Sequence, residues 1–383
     1  MLVFINILNR NPPNIDRGGK INAVKGVAHI ITTIERGGAE IQLLQVAKSL
    51  RNLKTEVSIV FLKGKPELYK DLDEIGCTIL DLRDFSFVRQ VLCFRRYLKE
   101  NRDFVVHAHL PRSEIVASLA TLFTKSKLVI TRHNCEKFWP EFPKEISSLL
   151  SRIVLHRANR VIVISNAVFN YIKINREIGK NMFDRVQLVY YGFAKIRFNS
   201  SRDSDHSRVL KIGTISRLEK QKDLETLMRA VASLSPDTPI CLKILGDGSQ
   251  RDNLESLSKE LSINEFTHFL GKTDQVNDFL FSTDVFVLTS KYEGFGAVLV
   301  EAMQAGVPII ATRVSSIPEV LGDHYPGLCE VGNYKEVANL ILKCKTPSFT
   351  EICISGYEER LVKFSEDFMV QNLLSVYNEA LAR

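Results

Sequence analysis

Two glutamates, Glu293 and Glu301, stand on either side of a glycine-bracketed turn in "KYEGFGAVLVEAMQAG", Lys291 to Gly306. "DVFVLTS" just before it reads as a strand, "KYEGFG" as a loop, and "AVLVEAMQA" as a helix closed by Gly306 and stopped by Pro308. A helix start presents unpaired N–H groups and the positive end of the helix dipole, which together form an anion site. Gly294 and Gly296 let an anion approach that backbone closely, and the run from Gly294 through Phe295 and Gly296 to Ala297 carries the donors. Glu301 falls on the same helix face as Ala297, about 6 Å further along the axis. The stretch therefore offers a carboxylate, N–H donors and a second carboxylate in a row. A nucleotide sugar has the matching order of hydroxyl-bearing sugar, diphosphate and ribose diol, since carboxylates accept from vicinal hydroxyls and amides donate to phosphate. Taken alone, such a pair is more often one surface glutamate and one helix-facing glutamate in an ordinary strand-turn-helix unit.

The chain has 383 residues, long for one core, and its 45% hydrophobic and 25% charged residues describe a globular protein. From Val27 short apolar runs alternate with helix-length segments: "VAHIITTI", "EVSIVF", "CTILDL", "FVVHAH", "KLVIT", "RVIVIS" and "VQLVYY". Continuous β-branched runs of this kind mark parallel strands covered on both faces. The alternation breaks after Tyr191, the polar "NSSRDSDHSR" follows, and it restarts with "VLKIGTI", "PICLKILG", "FTHFLG", "DVFVLTS" and "VPIIAT". This predicts two doubly wound α/β domains, 1–198 and 209–365, joined by a linker at 199–208. Apolar positions at helical spacing predict a terminal helix over 366–383, for which packing back on the first domain is one option. The first fourteen residues, "MLVFINILNRNPPN", read as an irregular extension, with no basic residue before the apolar run.

Seven scattered cysteines without a C-x-x-C pair favour buried thiols in a reducing compartment. D-x-D occurs only at Asp71–Asp73, in a helical stretch, and Asp203–Asp205, in the linker, so neither reads as a metal site. Residues 1–200 hold 32 Lys and Arg against 18 Asp and Glu, a balance of +14, leaving 19 against 26, or −7, for the rest. The basic stretches "VRQVLCFRRYLKENR" and "SRIVLHRANR" make an anionic membrane surface an expected partner of the first domain. Nucleic acid is not expected as one.

"EGFGAVLVEAMQAGVPIIAT" resembles the E-x7-E signature of the retaining glycosyltransferases of family four, which have the GT-B architecture of two facing Rossmann-like domains with a cleft between them. "GTISRLEKQKD" is similar to that family's G-R-L-x-x-x-K pattern through Gly213, Arg217, Leu218 and Lys222. The resemblance implies that Arg217 and Lys222 clamp the donor diphosphate and stabilise the charge the leaving group gains. It also implies that Gly37 and Gly38, between a strand and a helix, approach the diphosphate and the acceptor. A dinucleotide domain would instead want G-x-G-x-x-G there. His109 and His133 each end a strand, and by resemblance His133 touches the donor sugar, while His109 reads at least as well as a structural histidine. Where the family has N-G-[IV]-D, this chain has Tyr191, Gly192, Phe193 and Ala194.

The resemblance thus implies an enzyme that moves a sugar from a nucleoside-diphosphate sugar to a hydroxyl of a glycan or lipid-linked acceptor, with retention. Glu293, His133, Arg217 and Lys222 would be catalytic. Gly37, Gly38, Gly294, Phe295, Gly296, Ala297 and Glu301 would bind substrate. A UDP- or GDP-sugar would be the donor, with no cofactor and no metal. The biological setting implied is polysaccharide or lipopolysaccharide synthesis in the cytoplasm, peripheral on the inner face of the cell membrane. A nucleotide-sugar epimerase of the same architecture and a non-catalytic nucleotide-sugar-binding protein are the competing readings.

Overall fold

The computed structural model describes residues 24–196, 209–234, 239–273 and 275–382; the expected extension and the 199–208 linker lie outside them. The described residues up to Phe193 together with those from Phe364 onward form one compact unit, and those from Ala194 to Lys363 form the other.

In the first unit, β1 (Gly26–Ile31), β2 (Glu56–Phe61), β3 (Thr78–Asp81), β4 (Phe104–His109), β5 (Leu128–Arg132), β6 (Arg160–Val163) and β7 (Val186–Leu188) form one parallel sheet in the order β3-β2-β1-β4-β5-β6-β7. Every residue of β1, β4, β5 and β6 is buried, as expected of strands covered by helices on both faces. Burying a Val or Ile side chain fully contributes about 1.5–3 kcal/mol, so these runs hold the sheet centre together. The strand order reverses between β1 and β4. The chain therefore leaves their carboxyl ends in opposite directions and opens a crevice there.

The second unit repeats the plan with β8 (Leu210–Ile215), β9 (Ile240–Leu245), β10 (Thr267–Gly271), β11 (Val285–Leu288), β12 (Ile309–Thr312) and β13 (Leu328–Cys329), in the order β10-β9-β8-β11-β12-β13. Its reversal lies between β8 and β11. Both units are thus Rossmann-like parallel-sheet domains, as the alternation of apolar runs predicts. The helix Leu224–Leu234 buries Leu224, Leu227, Met228, Val231 and Leu234, an apolar stripe at helical spacing laid on this sheet's core.

The terminal helix, Glu366–Leu381, starts at Ser365, whose hydroxyl accepts from the Phe368 N–H, and joins the first unit's core through Met369, Leu373, Leu374 and Tyr377. Polar contacts fix its angle: Ser49 bonds Glu366, and Arg160 pairs with Glu379 at 2.5 Å. All seven cysteines are free thiols. Among the described residues no helix is long and apolar enough to cross a membrane.

Candidate active site

Arg217, Lys222, Glu293 and the Gly294–Ala297 turn all follow the two strands at the reversal point of the second sheet, in the loops after β8 and β11. The first loop is anchored at Leu218, which is fully buried, with its N–H on Asp247 O at 3.0 Å and its carbonyl accepting from Gln250 N at 2.8 Å. Only glycine fits at 246, because φ is +133° and a Cβ would stand 1.9 Å from Ser216 O. Arg217 beside this anchor is exposed and donates no side-chain hydrogen bond among the described residues.

The second loop is stitched to the first. Lys291 N donates to Gln221 O at 2.8 Å, Gln221 Nε2 to Tyr292 O at 2.7 Å, and Thr289 Oγ1 to Asp223 O at 3.0 Å. These bonds bring Lys222 Nζ to 2.5 Å from Glu293 Oε1. Ser290 Oγ donates to the same carboxylate oxygen at 2.7 Å, and Ser316 Oγ donates to the Glu293 carbonyl at 3.2 Å. Both partners of the ion pair are largely enclosed, with side-chain exposures of 14% and 8%. Such a pair holds its geometry because separating it strands a buried charge.

The helix Ala297–Gln304 begins at Gly296, whose φ of +83° is left-handed and would strain any side chain. It ends in the bonding pattern expected from its glycine, with Gly306 N on Met303 O at 3.0 Å and Val307 N on Ala302 O at 3.1 Å. The Phe295 side chain is buried at 3% exposure, which leaves only its backbone to meet a ligand. Glu301, two turns beyond Gly294, is half-buried, its carboxylate has no hydrogen-bond partner among the described residues, and burial pushes its pKa up to about 7.

In the first unit, the Gly37–Gly38 turn follows β1 and opens the helix Gly38–Asn52 at the other reversal point. Glu40 in the first turn of that helix accepts from Thr33 Oγ1 at 2.7 Å, and a Cβ on Gly37 would stand 2.5 Å from the Glu40 carboxylate. His109 is the last residue of β4, and His133 follows β5. Both ring nitrogens of His133 are engaged: Nδ1 with the Tyr191 hydroxyl at 2.7 Å and Nε2 with His109 Nδ1 at 3.0 Å. His133 reaches any substrate only by releasing one of them. Behind it Arg132 is buried between Glu114, at 3.2 Å, and Glu177, at 4.0 Å, with its guanidinium 4.5 Å from the Phe138 ring. Burial pushes the Glu114 carboxyl up to about 7 against the pull of Arg132.

Sequence reasoning passed over His29, His107 and Ser290, and met Tyr191 only as part of the departure from the family pattern at residues 191–194. The signal for the histidines was the period of two. In register His29 pairs with His107, and His109 with Thr131, so His29, His107, His109, Thr131 and His133 share one face of the sheet. Nitrogens of His29, His107 and His109 lie within 4.8 Å of one another, the spacing of a loose cation site. Hydrogen bonds within the fold already hold five of their six nitrogens.

Comparisons with known proteins agree with this fold. The model of "Glycosyltransferase Family 4" matches residues 36–192, and that of "Glycosyl transferases group 1" matches residues 195–347. The chain is 32% identical over 251 residues to N-acetyl-alpha-D-glucosaminyl L-malate synthase of Bacillus anthracis, covering 63% of this chain and 65% of that protein. It is 30% identical over 166 residues to the lipopolysaccharide core biosynthesis glycosyltransferase LpsE of Rhizobium meliloti, covering 43% of this chain and 48% of that protein. The matched segments thus span about two thirds and about half of these relatives. Anabaena Alr3699/HepE, solved in complex with UDP and glucose, superposes with a TM-score of 0.79 at 20% identity, over 92% of this chain and 99% of that one. The fold and these matches support a GT-B glycosyltransferase. More narrowly, they support one of the family-four kind.

Proposed function

We propose that the protein transfers a sugar from a nucleoside-diphosphate sugar to a hydroxyl of a glycan or glycolipid, with retention at the anomeric carbon. The observation that carries this reading is the 2.5 Å contact that joins Lys222 of one reversal-point loop to Glu293 of the other, beside the Gly296 helix start. The helix-start amides suit a diphosphate, Glu301 suits the ribose diol, and Glu293 suits a hydroxyl of the sugar. Arg217 and Lys222 supply the positive charge that the departing nucleoside diphosphate needs, in the place a metal ion takes in other transferases. By the resemblance to the family, His133 and the Gly37–Gly38 turn also take part in the reaction.

Glu293 is tied to Lys222 and Ser290 and is poorly placed to become a covalent nucleophile. A front-face displacement suits the residues better. The bond from the anomeric carbon to the phosphate oxygen breaks, the bond to the acceptor oxygen forms on the same face, and the acceptor proton passes to the departing phosphate. HepE, crystallised with UDP-glucose, supports a uridine donor by analogy. Incubation with UDP- and GDP-sugars, alone and with glycan or glycolipid acceptors, tests the proposal. Slow donor hydrolysis without acceptor and a product of unchanged anomeric configuration with one are expected. A new free nucleotide sugar would instead identify an epimerase, no turnover a binding protein, and an inverted product a different mechanism.

The reading extends to an anionic membrane surface as the setting of the acceptor. On the helix Lys144–Arg157 the apolar residues Ile146, Leu149 and Ile153 are 47%, 57% and 55% exposed at a spacing that puts them on one face. Lys144, Arg152 and Arg157 of the same helix are exposed and form no ion pair among the described residues. The other basic helix, Phe87–Glu100, commits Arg95 to the carbonyls of Leu119 and Ala120 and Arg96 to Glu100, which makes it the weaker candidate. Each cation near an anionic leaflet contributes about 1 kcal/mol, so three give a weak and reversible attachment. Vesicle sedimentation should show binding to anionic but not neutral vesicles, reduced by salt and by Leu149→Glu. Binding indifferent to lipid charge would point to a water-soluble acceptor.

A further inference from the structure

His29, His109, His133 and Tyr191 form a continuous line of hydrogen bonds. His29 Nδ1 lies 3.0 Å from His109 Nε2, His109 Nδ1 lies 3.0 Å from His133 Nε2, and His133 Nδ1 lies 2.7 Å from the Tyr191 hydroxyl. Each link between two imidazoles needs one N–H and one bare nitrogen. Burial disfavours the charged ring: it takes His29 and His133 down to about 3, the latter helped by Arg132, and His109 well below its ordinary value. A neutral ring has a single N–H. The three rings must therefore run in one sense, all protonated on Nδ1 or all on Nε2.

The inner end selects the sense. His29 Nε2 is buried without a hydrogen-bond partner among the described residues. Were the rings protonated on Nε2, that position would be a buried donor with no acceptor, which costs about 1–3 kcal/mol. Protonation on Nδ1 leaves only an unfilled lone pair there, the more commonly tolerated exception. His133 then donates from Nδ1 to the Tyr191 oxygen, and its Nε2 lone pair is filled by His109. Other groups facing the line are Arg132 beside His133, Glu40 toward Tyr191, and His107, whose ring lies 4.1 Å from that of His109 and bonds Tyr377.

We infer that His29, His109 and Tyr191 are positioning residues that hold His133 in the Nδ1–H form, so that it serves sugar transfer as a hydrogen-bond donor and not as a base. The inference rests on the reading above in which His133 takes part in the reaction. To reach a sugar oxygen, His133 must release either Tyr191 or His109. Releasing His109 strands a buried nitrogen, so Tyr191, which lines a cavity of about 40 Å³ together with His109 and His133, is the partner to be exchanged for a sugar oxygen. Tyr191 opens the stretch at residues 191–194 in which this chain departs from the N-G-[IV]-D pattern of the family it resembles.

Histidine ¹⁵N spectra of the intact protein at neutral pH test the arrangement without any activity, with the His133 signals identified by their loss in His133→Gln. All three rings should be neutral Nδ1–H tautomers, and His133 should keep that form in Tyr191→Phe, because the inner end sets the sense. An Nε2–H tautomer or a charged ring in either protein overturns the inference. In a protein shown to transfer sugar, His109→Phe should free His133 Nε2 and bring a new limb into the pH profile of kcat/KM between pH 5 and 7, absent from wild type. An unchanged profile in a folded His109→Phe variant would reduce the line to packing. Should no transfer be found at all, the spectra still decide the tautomer while the functional reading fails separately.

Discussion

Arg217→Ala should lower kcat by about 100- to 1000-fold while leaving the thermal midpoint nearly unchanged. The magnitude is that of removing one preorganised group that meets developing charge in a transition state. The indifference of the fold follows from where the loop is held. Leu218 is the buried anchor, whereas Arg217 is exposed and its side chain donates no hydrogen bond among the described residues, so its truncation belongs with surface changes of within about 0.5 kcal/mol. Lys222→Ala should behave differently, because it strands the Glu293 carboxylate and costs stability as well as rate. If these cations do the work of a metal, EDTA leaves activity intact. Loss of activity with chelator, restored by manganese, would contradict the assignment, as would an Arg217→Ala enzyme of wild-type kcat.

Glu301→Gln should weaken donor binding and Glu293→Gln should mainly lower turnover, each by about 10- to 100-fold, the range of one charged hydrogen bond. For Glu301 the dependence on pH has a definite sign. Burial holds its carboxyl at about 7 in the folded protein, above the unfolded value of about 4.3. Between those values the folded state binds the extra proton, so stability is greatest at low pH and declines as pH rises through about 7. Removing the charge removes that decline. Glu301→Gln should be more stable than wild type at pH 8 by about 1–2 kcal/mol, allowing for the solvent that reaches the side chain, with a clearly smaller difference at pH 5 and none once the pH falls below the unfolded value. Donor affinity should show the reverse dependence. A carboxylate accepts from both ribose hydroxyls whereas a neutral acid does so poorly, so wild-type binding should weaken below pH 7 and the variant should stay flat. Calorimetric titration with nucleoside diphosphate at pH 6 and 8, beside melting curves at pH 5 and 8, reads both effects. Matching melting curves at pH 8 would mean that Glu301 is solvated and carries no stored cost.

The strand runs and the glycine turns were legible in the sequence because they depend on local chemistry. Runs such as "GVAHII" and "FVVHAH" can be satisfied only when covered on both faces, and Gly296 and Gly306 stand where the backbone turns left-handed. Arg217, Lys222 and Glu293 were likewise legible in loops that follow strands, and Glu301 in the helix beyond its loop. Which of them touch was not. Lys222 and Glu293 lie 71 positions apart and meet only because β8 and β11 are neighbours in a strand order that skips two strands.

His133 shows the same division. Its place after a strand was set locally, since "LVITR" must be β5 and the next residue must emerge from its end. The engagement of both its nitrogens came from His109 on β4 and from Tyr191 after β7, which the fold brings to the same face of the sheet. The sequence by itself determined what each segment is and which residue types stand at the strand ends, because hydrophobic period and glycine act within a few residues. Tertiary structure alone decided the protonation sense of His133, the pairing of Glu293 and the desolvation of Glu301, because hydrogen bonds and desolvation depend on atoms that the chain brings together from far apart.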